Sequence, residues 1–242
     1  MKPTCHIADA VIGDGPADSP VESTLSALGA ALKARDAGTH AHSQRLTSYA
    51  LALGRLLGLP RTELLTLERG VFLHDIGKTY VSEGILRKSG PLSRTEWVEM
   101  RLHSAIGYGI ASSIPGLRAA APIVLAHHEW YDGTGYPRRL KGSDIPLGAR
   151  ICSVVDTVDA LTSVRPYRFP LSMVKACDQV WSESGTHFDP LVVDAFLAIP
   201  PAEWEQLQSS ITRKLRLPQP EQVLSVRGRS SRRACTAFGR TF

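Results

Sequence analysis

The sequence predicts an all-α fold, and three observations carry that prediction. Apolar residues recur at three-to-four spacing in one segment after another, as they do along a buried helix face. Alternating apolar and polar runs, which build half-buried strands, are absent from the 242 residues. The segments are also punctuated as helices are, by a first-turn proline and a capping sequence. Together these point to one compact helical domain over about 22–212, with a flexible N-terminal segment (1–21) and a basic, disordered tail (213–242).

Taken in order, Leu46, Tyr49, Ala50, Leu53 and Leu57 mark a helix with His42 one turn earlier on the same face. After Pro60, a natural first-turn residue, Leu64, Leu67, Val71 and His74 mark another. "SRTE" at 93–96 has the capping-box form and starts a helix with Met100, His103, Gly107 and Ile110 on one side. A short helix is expected from Leu117 to His127. "PLGARICSVVDTVDALTS" is apolar nearly all round, as a fully buried central helix should be. Further helices fit 171–183, 189–198 and 202–212.

Charge is divided unevenly. The formal +5 arises beyond residue 212, where eight Lys or Arg face a single acid, Glu221; residues 1–212 hold 20 bases against 22 acids. A body at −2 does not offer a nucleic-acid-binding surface by charge, and the basic run reads as a solvated arm. No apolar stretch approaches the roughly 18 residues of a membrane span, and the N-terminus lacks a secretion signal's apolar run. Cys5, Cys152, Cys177 and Cys235 stand at no metal-binding or redox spacing, so they read as reduced thiols of a cytoplasmic protein.

Placing ionisable residues on these helices reveals a regularity. His42, His74, His103, His127 and His128 all fall at inward positions; Asp75 follows His74, and Asp156 lies amid the valines of the buried helix. Burying an uncompensated carboxylate is very costly, and a buried neutral histidine still needs partners. Any one of them could have its own hydrogen bond in the core, but a shared cation accounts for all seven together. Imidazole plus carboxylate without thiolate suits Fe, Mn, Zn or Ni rather than Mg or Ca. Seven side chains exceed one tetrahedral centre, whereas two divalent metals bridged by a carboxylate use them and leave positions open. Such pairs, about 3.5–4 Å apart, serve in-line attack on phosphate esters.

"HDIGK" (74–78) resembles the HD superfamily of metal-dependent phosphohydrolases. "HHEWYDGTGYP" (127–137) with "LKGSDIPLGARI" is similar to the HD-GYP subfamily, bacterial phosphodiesterases of cyclic dinucleotides, chiefly cyclic di-GMP. The likeness extends through "THAHSQR", "VVDTVDALTSVRPYR" and "GTHFDP", over about 36–198. It implies hydrolysis of cyclic di-GMP to linear pGpG, with cleavage on to GMP left open, in a protein that lowers a messenger of motility and biofilm. Cyclic GMP-AMP is the alternative substrate, and a catalytically weak binding module the alternative role. A homodimer or a signalling-protein partner is compatible with both.

The resemblance also implies roles. His42, His74, Asp75 and Asp156 would hold one metal; Asp75 would bridge to a second held by His103, His127 and His128. Lys78 would meet the phosphate, making it catalytic together with Asp75. Arg165 and Arg168 would contact phosphates or guanines; the alternative is a salt-bridged helix end. Asp132, Gly135 and Tyr136 would form a substrate loop, with Tyr136 either stacking on a base or pinning the loop. Asp159 and Glu129 would orient ligands rather than bind metal. His42 rather than His40 is the expected ligand. Gly38 stands where relatives with a third metal carry glutamate, so two metals are expected.

Overall fold

The stretch following Pro146 is apolar on almost every side, and the domain is wrapped around the helix it forms. The computed structural model describes residues 20–35, 37–164 and 169–214. Within them lie ten α-helices: α1 Pro20–Arg35, α2 Ala37–Leu56, α3 Arg61–Leu73, α4 Glu83–Leu86, α5 Arg94–Ser113, α6 Ala121–Ala126, α7 Leu147–Thr162, α8 Met173–Ser182, α9 Pro190–Leu197 and α10 Pro201–Lys214. No strand occurs among the described residues, only one isolated bridge between Ser184 and Phe188. None of the described helices is long and apolar enough to cross a membrane.

Ile151, Val154, Val155 and Val158 of α7 are fully enclosed by Leu46, Tyr49 and Leu53 of α2, by α3, and by α8 to α10. Trp204 anchors α10 here: it is fully buried, packs edge-on against Tyr49 and donates its indole N–H to the Phe196 carbonyl at 3.2 Å. A smaller core joins Leu32 of α1 to Leu73, Ile76, Ala111, Leu117 and Val124. Ser93 and Glu96 form the capping box that their spacing predicts at the start of α5.

Several boundaries differ from the expectation. The Leu117–His127 helix is two pieces, a 3₁₀ segment Pro115–Ala120 and α6, because Pro122 lacks an N–H and its ring cannot continue an existing α-helix. α1 is not among the expected elements, although Val21, Leu25, Leu28 and Leu32 have helical spacing and pack into the smaller core. It begins at Pro20, inside the segment expected to be flexible; α10 continues to Lys214, so Arg213 and Lys214 form a helix's last turn, where cations are favourable. Residues 1–19 and 215–242, including most of the expected tail, lie outside the described residues.

The chain does not stay helical through "HDIGK". α3 stops at Leu73, and Ile76–Tyr80 forms a 3₁₀ turn laid against α5. Gly77 makes that approach possible: a Cβ there would stand 1.9 Å from the His103 carbonyl oxygen and 2.7 Å from the Gly107 nitrogen. Gly77→Ala must push the turn off α5, and overpacking against rigid backbone is expected to cost about 3 kcal/mol. Urea denaturation checks this; an unchanged midpoint would show that the two backbones can separate freely.

Candidate metal centre

Four helices and one turn bring the histidines and aspartates together. His42 comes from α2, His74 caps α3 with Asp75 beside it, His103 comes from α5, and Asp156 from α7. His127 and His128 follow α6, where the helix ends and the chain turns. Their rings end 4.0 Å apart, on one side of the chain, so adjacency does not separate them as regular backbone would.

The potential ligand atoms form two groups: His42, His74 and Asp75, and His103, His127 and His128, each within 4.8 Å of one another. Asp156 joins the first, its Oδ1 lying 3.1 Å from His42 Nε2. Asp75 faces both, with Oδ2 3.3 Å from His74 Nε2 and Oδ1 3.5 Å from His103 Nε2. His40 is elsewhere, edge-on to Phe72.

Hydrogen bonding has oriented these rings. His74, His103 and His127 each direct Nδ1 at the carbonyl of the residue three earlier, at 2.6 to 2.8 Å. A carbonyl only accepts, so each Nδ1 carries the proton and each Nε2 presents a lone pair to the centre. His103 and His127 bring those nitrogens within 3.2 Å of each other. Two imidazole nitrogens sharing one ion at about 2.0–2.1 Å would lie roughly 3 Å apart, whereas two bare lone pairs gain nothing by meeting. Asp75 Oδ1 is buried without a hydrogen-bond partner. A buried carboxylate oxygen left unpaired is costly, and a cation resolves it. The donor set therefore fits metal.

Electrostatics agree with that use. Burial, followed by the neighbouring histidine charges, holds His127 well below the ordinary histidine range. Burial and His103 push His128 down to about 3, and burial also lowers His103. These three are neutral, as ligands must be. Burial also disfavours a charge on His42, but hydrogen bonds to Asp156 and Asp159 outweigh it and raise His42 to about 9. A metal there would displace a proton.

Asp159 does not reach the centre directly. It accepts from His42 Nδ1 at 2.7 Å and from Arg45 in bidentate fashion, at 2.6 and 2.8 Å. Arg45 was assigned no role from sequence, although it lies three residues after His42 and so shares its helix side. Arg45→Ala leaves a nearly inaccessible carboxylate with one partner. It is expected to destabilise the fold by about 3 kcal/mol, as breaking a buried pair does, and to weaken metal binding about 10- to 100-fold. Chemical denaturation and metal titration read the two effects; an unchanged titration would make Arg45 purely a packing residue.

The loop residues divide. Glu129 is buried and accepts from the backbone N–H groups of Arg138 and Leu140 at 2.7 and 3.1 Å, so it closes the loop. Gly135 is needed by the protein itself: a Cβ would stand 2.3 Å from the Trp130 nitrogen and 2.6 Å from Glu129 Cα. Asp132 Oδ1 accepts from the N–H and hydroxyl of Thr134, shaping an exposed turn. The Tyr136 ring stacks on His128 at 4.8 Å and 22°, and the Arg101 guanidinium carbon lies 4.8 Å from its centroid, contacts that hold the loop against the histidines. Lys78 reaches Asp75 Oδ2 at 2.6 Å across the 3₁₀ turn, not along a continuing helix. Arg165 and Arg168 lie outside the described residues. Arg101, like Arg45, was missed; its contact with Tyr136 spans 35 positions and leaves no local signal.

Known proteins resemble this chain in sequence and fold. The HD domain family matches residues 27–192. The cyclic di-GMP phosphodiesterase response regulator RpfG of Xanthomonas campestris pv. campestris is 41% identical over 176 residues, which are 72% of this chain and 47% of the relative. The 3′3′-cGAMP-specific phosphodiesterase 2 of Vibrio cholerae is 36% identical over 172 residues, 70% of this chain and 33% of the relative. In fold, the crystal structure of a cyclic GMP-AMP specific phosphodiesterase of V. cholerae, V-cGAP3, aligns with a TM-score of 0.59 at 21% identity, covering 82% of this chain and 54% of the other. The chain thus spans between a third and about half the length of these proteins. With the family match over most of its length and the "HDIGK" and "HHEWYDGTGYP" segments at the convergence of the helices, the chain belongs to the HD domain family, in its HD-GYP branch.

Proposed function

We propose that this domain is a metal-dependent phosphodiesterase that hydrolyses cyclic di-GMP to linear pGpG, with GMP as the product of a second cleavage. The observation that carries the reading is Asp75, one carboxylate facing two groups of imidazole nitrogens with a buried oxygen unpartnered. His42, His74, Asp75 and Asp156 would hold one divalent transition metal, and His103, His127, His128 and Asp75 the other, iron or manganese first and zinc or nickel next. When bound, the pair supplies Lewis-acid charge and an activated water for in-line attack. The chain's residues do the rest. Asp159 and the backbone carbonyls hold the imidazoles in register, and Lys78, with its side chain 30% exposed, can turn from Asp75 to a phosphoryl oxygen arriving from solvent. Asp132 and Tyr136 border the entry, and Arg165 and Arg168 take non-reacting parts of the substrate.

The relatives named for cyclic di-GMP support that substrate, and those named for cyclic GMP-AMP keep it as the second reading. A catalytically weak binding module is disfavoured by the complete donor set. We place the activity in the cytoplasm, in control of motility and biofilm, in a chain that pairs with itself or with a signalling protein. The test is metal analysis with product analysis on anaerobically purified protein. Two ions per chain and pGpG from cyclic di-GMP are expected. Binding without turnover in metal-replete protein would overturn the enzymatic reading; preferential cleavage of cyclic GMP-AMP would overturn the substrate.

A further inference from the structure

Three cationic side chains touch residues of the metal centre or its immediate supports, and two are engaged by carboxylates. Arg45 grips Asp159, and Lys78 is paired with Asp75. Arg101 has no acidic partner among the described residues. It stands exposed on α5, two residues before His103, with its guanidinium carbon 4.8 Å from the Tyr136 ring and 5.8 Å from the Trp97 ring. Tyr136 is itself stacked on His128. A run of contacts therefore leads from a solvent-facing guanidinium to a ligand of the centre. Contact with ring faces fixes the guanidinium's position while leaving its N–H fork for an oxyanion.

Charge gives this arrangement its meaning. Residues 1–212 hold 20 bases against 22 acids, so the body as a whole does not attract an anion. Attraction must be local, and Arg101 is an uncompensated cation beside the centre. A cyclic dinucleotide carries two phosphodiesters, of which only one can occupy the metal centre at a time. We propose that Arg101 is a second anion subsite that receives the phosphodiester not under attack, with Tyr136 and Trp97 as its positioning residues. This rests on the proposed cyclic dinucleotide substrate and adds to it a residue that reads the backbone rather than the base. It makes the domain prefer diesters with two phosphates over those with one, and treat cyclic di-GMP and cyclic GMP-AMP alike at this point.

The test compares wild type, Arg101→Ala and Arg101→Lys, all metal-loaded, on cyclic di-GMP, cyclic GMP-AMP and bis(p-nitrophenyl) phosphate, which has a single phosphodiester. Losing a charge-assisted contact to a non-reacting group should raise KM for both cyclic dinucleotides about 10- to 100-fold in Arg101→Ala. The change in kcat should be smaller, and the preference over the single diester should fall by a similar factor. Arg101→Lys should recover part of the loss, since charge remains but the planar fork does not. An unchanged KM overturns the proposal. Equal losses on all three substrates also overturn it, because Arg101 would then act only by supporting Tyr136 and His128. A loss confined to cyclic di-GMP overturns the phosphate reading in favour of the base. If wild type cleaves the single diester and neither cyclic dinucleotide, the proposed function fails. Equilibrium binding of cyclic di-GMP then decides the subsite: weaker binding by Arg101→Ala upholds it, and equal binding removes it.

Discussion

Asp75→Ala is expected to empty the centre and abolish turnover together, the largest effect of any single change in this domain. Its two oxygens are 3.3 Å from His74 Nε2 and 3.5 Å from His103 Nε2, so removing it takes a ligand from both groups. Loss of one preorganised electrostatic contact commonly lowers kcat by about 10²–10³. Loss of a shared ligand should exceed that and bring activity to background. Asp75→Asn keeps the shape and one acceptor oxygen, and should retain at most one weakly held ion. The accompanying signature is thermal: metal raises the melting temperature only of a protein that binds it, so that rise should vanish in Asp75→Ala. Elemental analysis, steady-state kinetics and calorimetry read the three outcomes. Full metal content and turnover in the variant would refute the bridge.

Lys78→Ala should be the next most severe change, lowering kcat about 10²–10³ with KM little altered. Nζ lies 2.6 Å from Asp75 Oδ2, and its side chain is 30% exposed, so the charge sits at the boundary between centre and solvent. Charge that develops on phosphorus is met there, whereas an unreacted substrate gains less. Because Lys78 also touches the proposed bridge, metal content must be measured alongside; retained metal with lost kcat is the expected pair. Arg168→Ala, at a position implied to contact non-reacting parts of the dinucleotide, should mainly raise KM. A Lys78 variant altered only in KM, with an Arg168 variant altered in kcat, would reverse the two placements.

The centre shows why sequence could go so far. Histidines and aspartates at the inward positions of amphipathic helices are legible because burial makes them conspicuous: each is costly there unless something pairs with it. His42, His74, Asp75, His103, His127, His128 and Asp156 could all be listed that way, and periodicity located most helices around them. Local grammar also foretold the Ser93–Glu96 capping box. It did not reveal α1, whose few apolar positions gain their meaning only against Leu73 and Val124.

What sequence by itself determined about this protein is the helical class, which imidazoles and carboxylates are the candidate donors, and the chemistry such donors suit, since these depend on residue type and short-range spacing. Only the tertiary structure decided how the donors are shared, with one oxygen of Asp75 toward each group. It also decided that Asp159 is clasped by Arg45 from 114 positions away, that Gly135 lies against the Trp130 backbone, and that Tyr136 lies between His128 and Arg101 in the chain of contacts. Each is a relation between distant segments, set by how helices pack around α7. Periodicity reports which face a residue occupies, but the partner it meets there depends on the distance and angle of another helix, which no local pattern encodes.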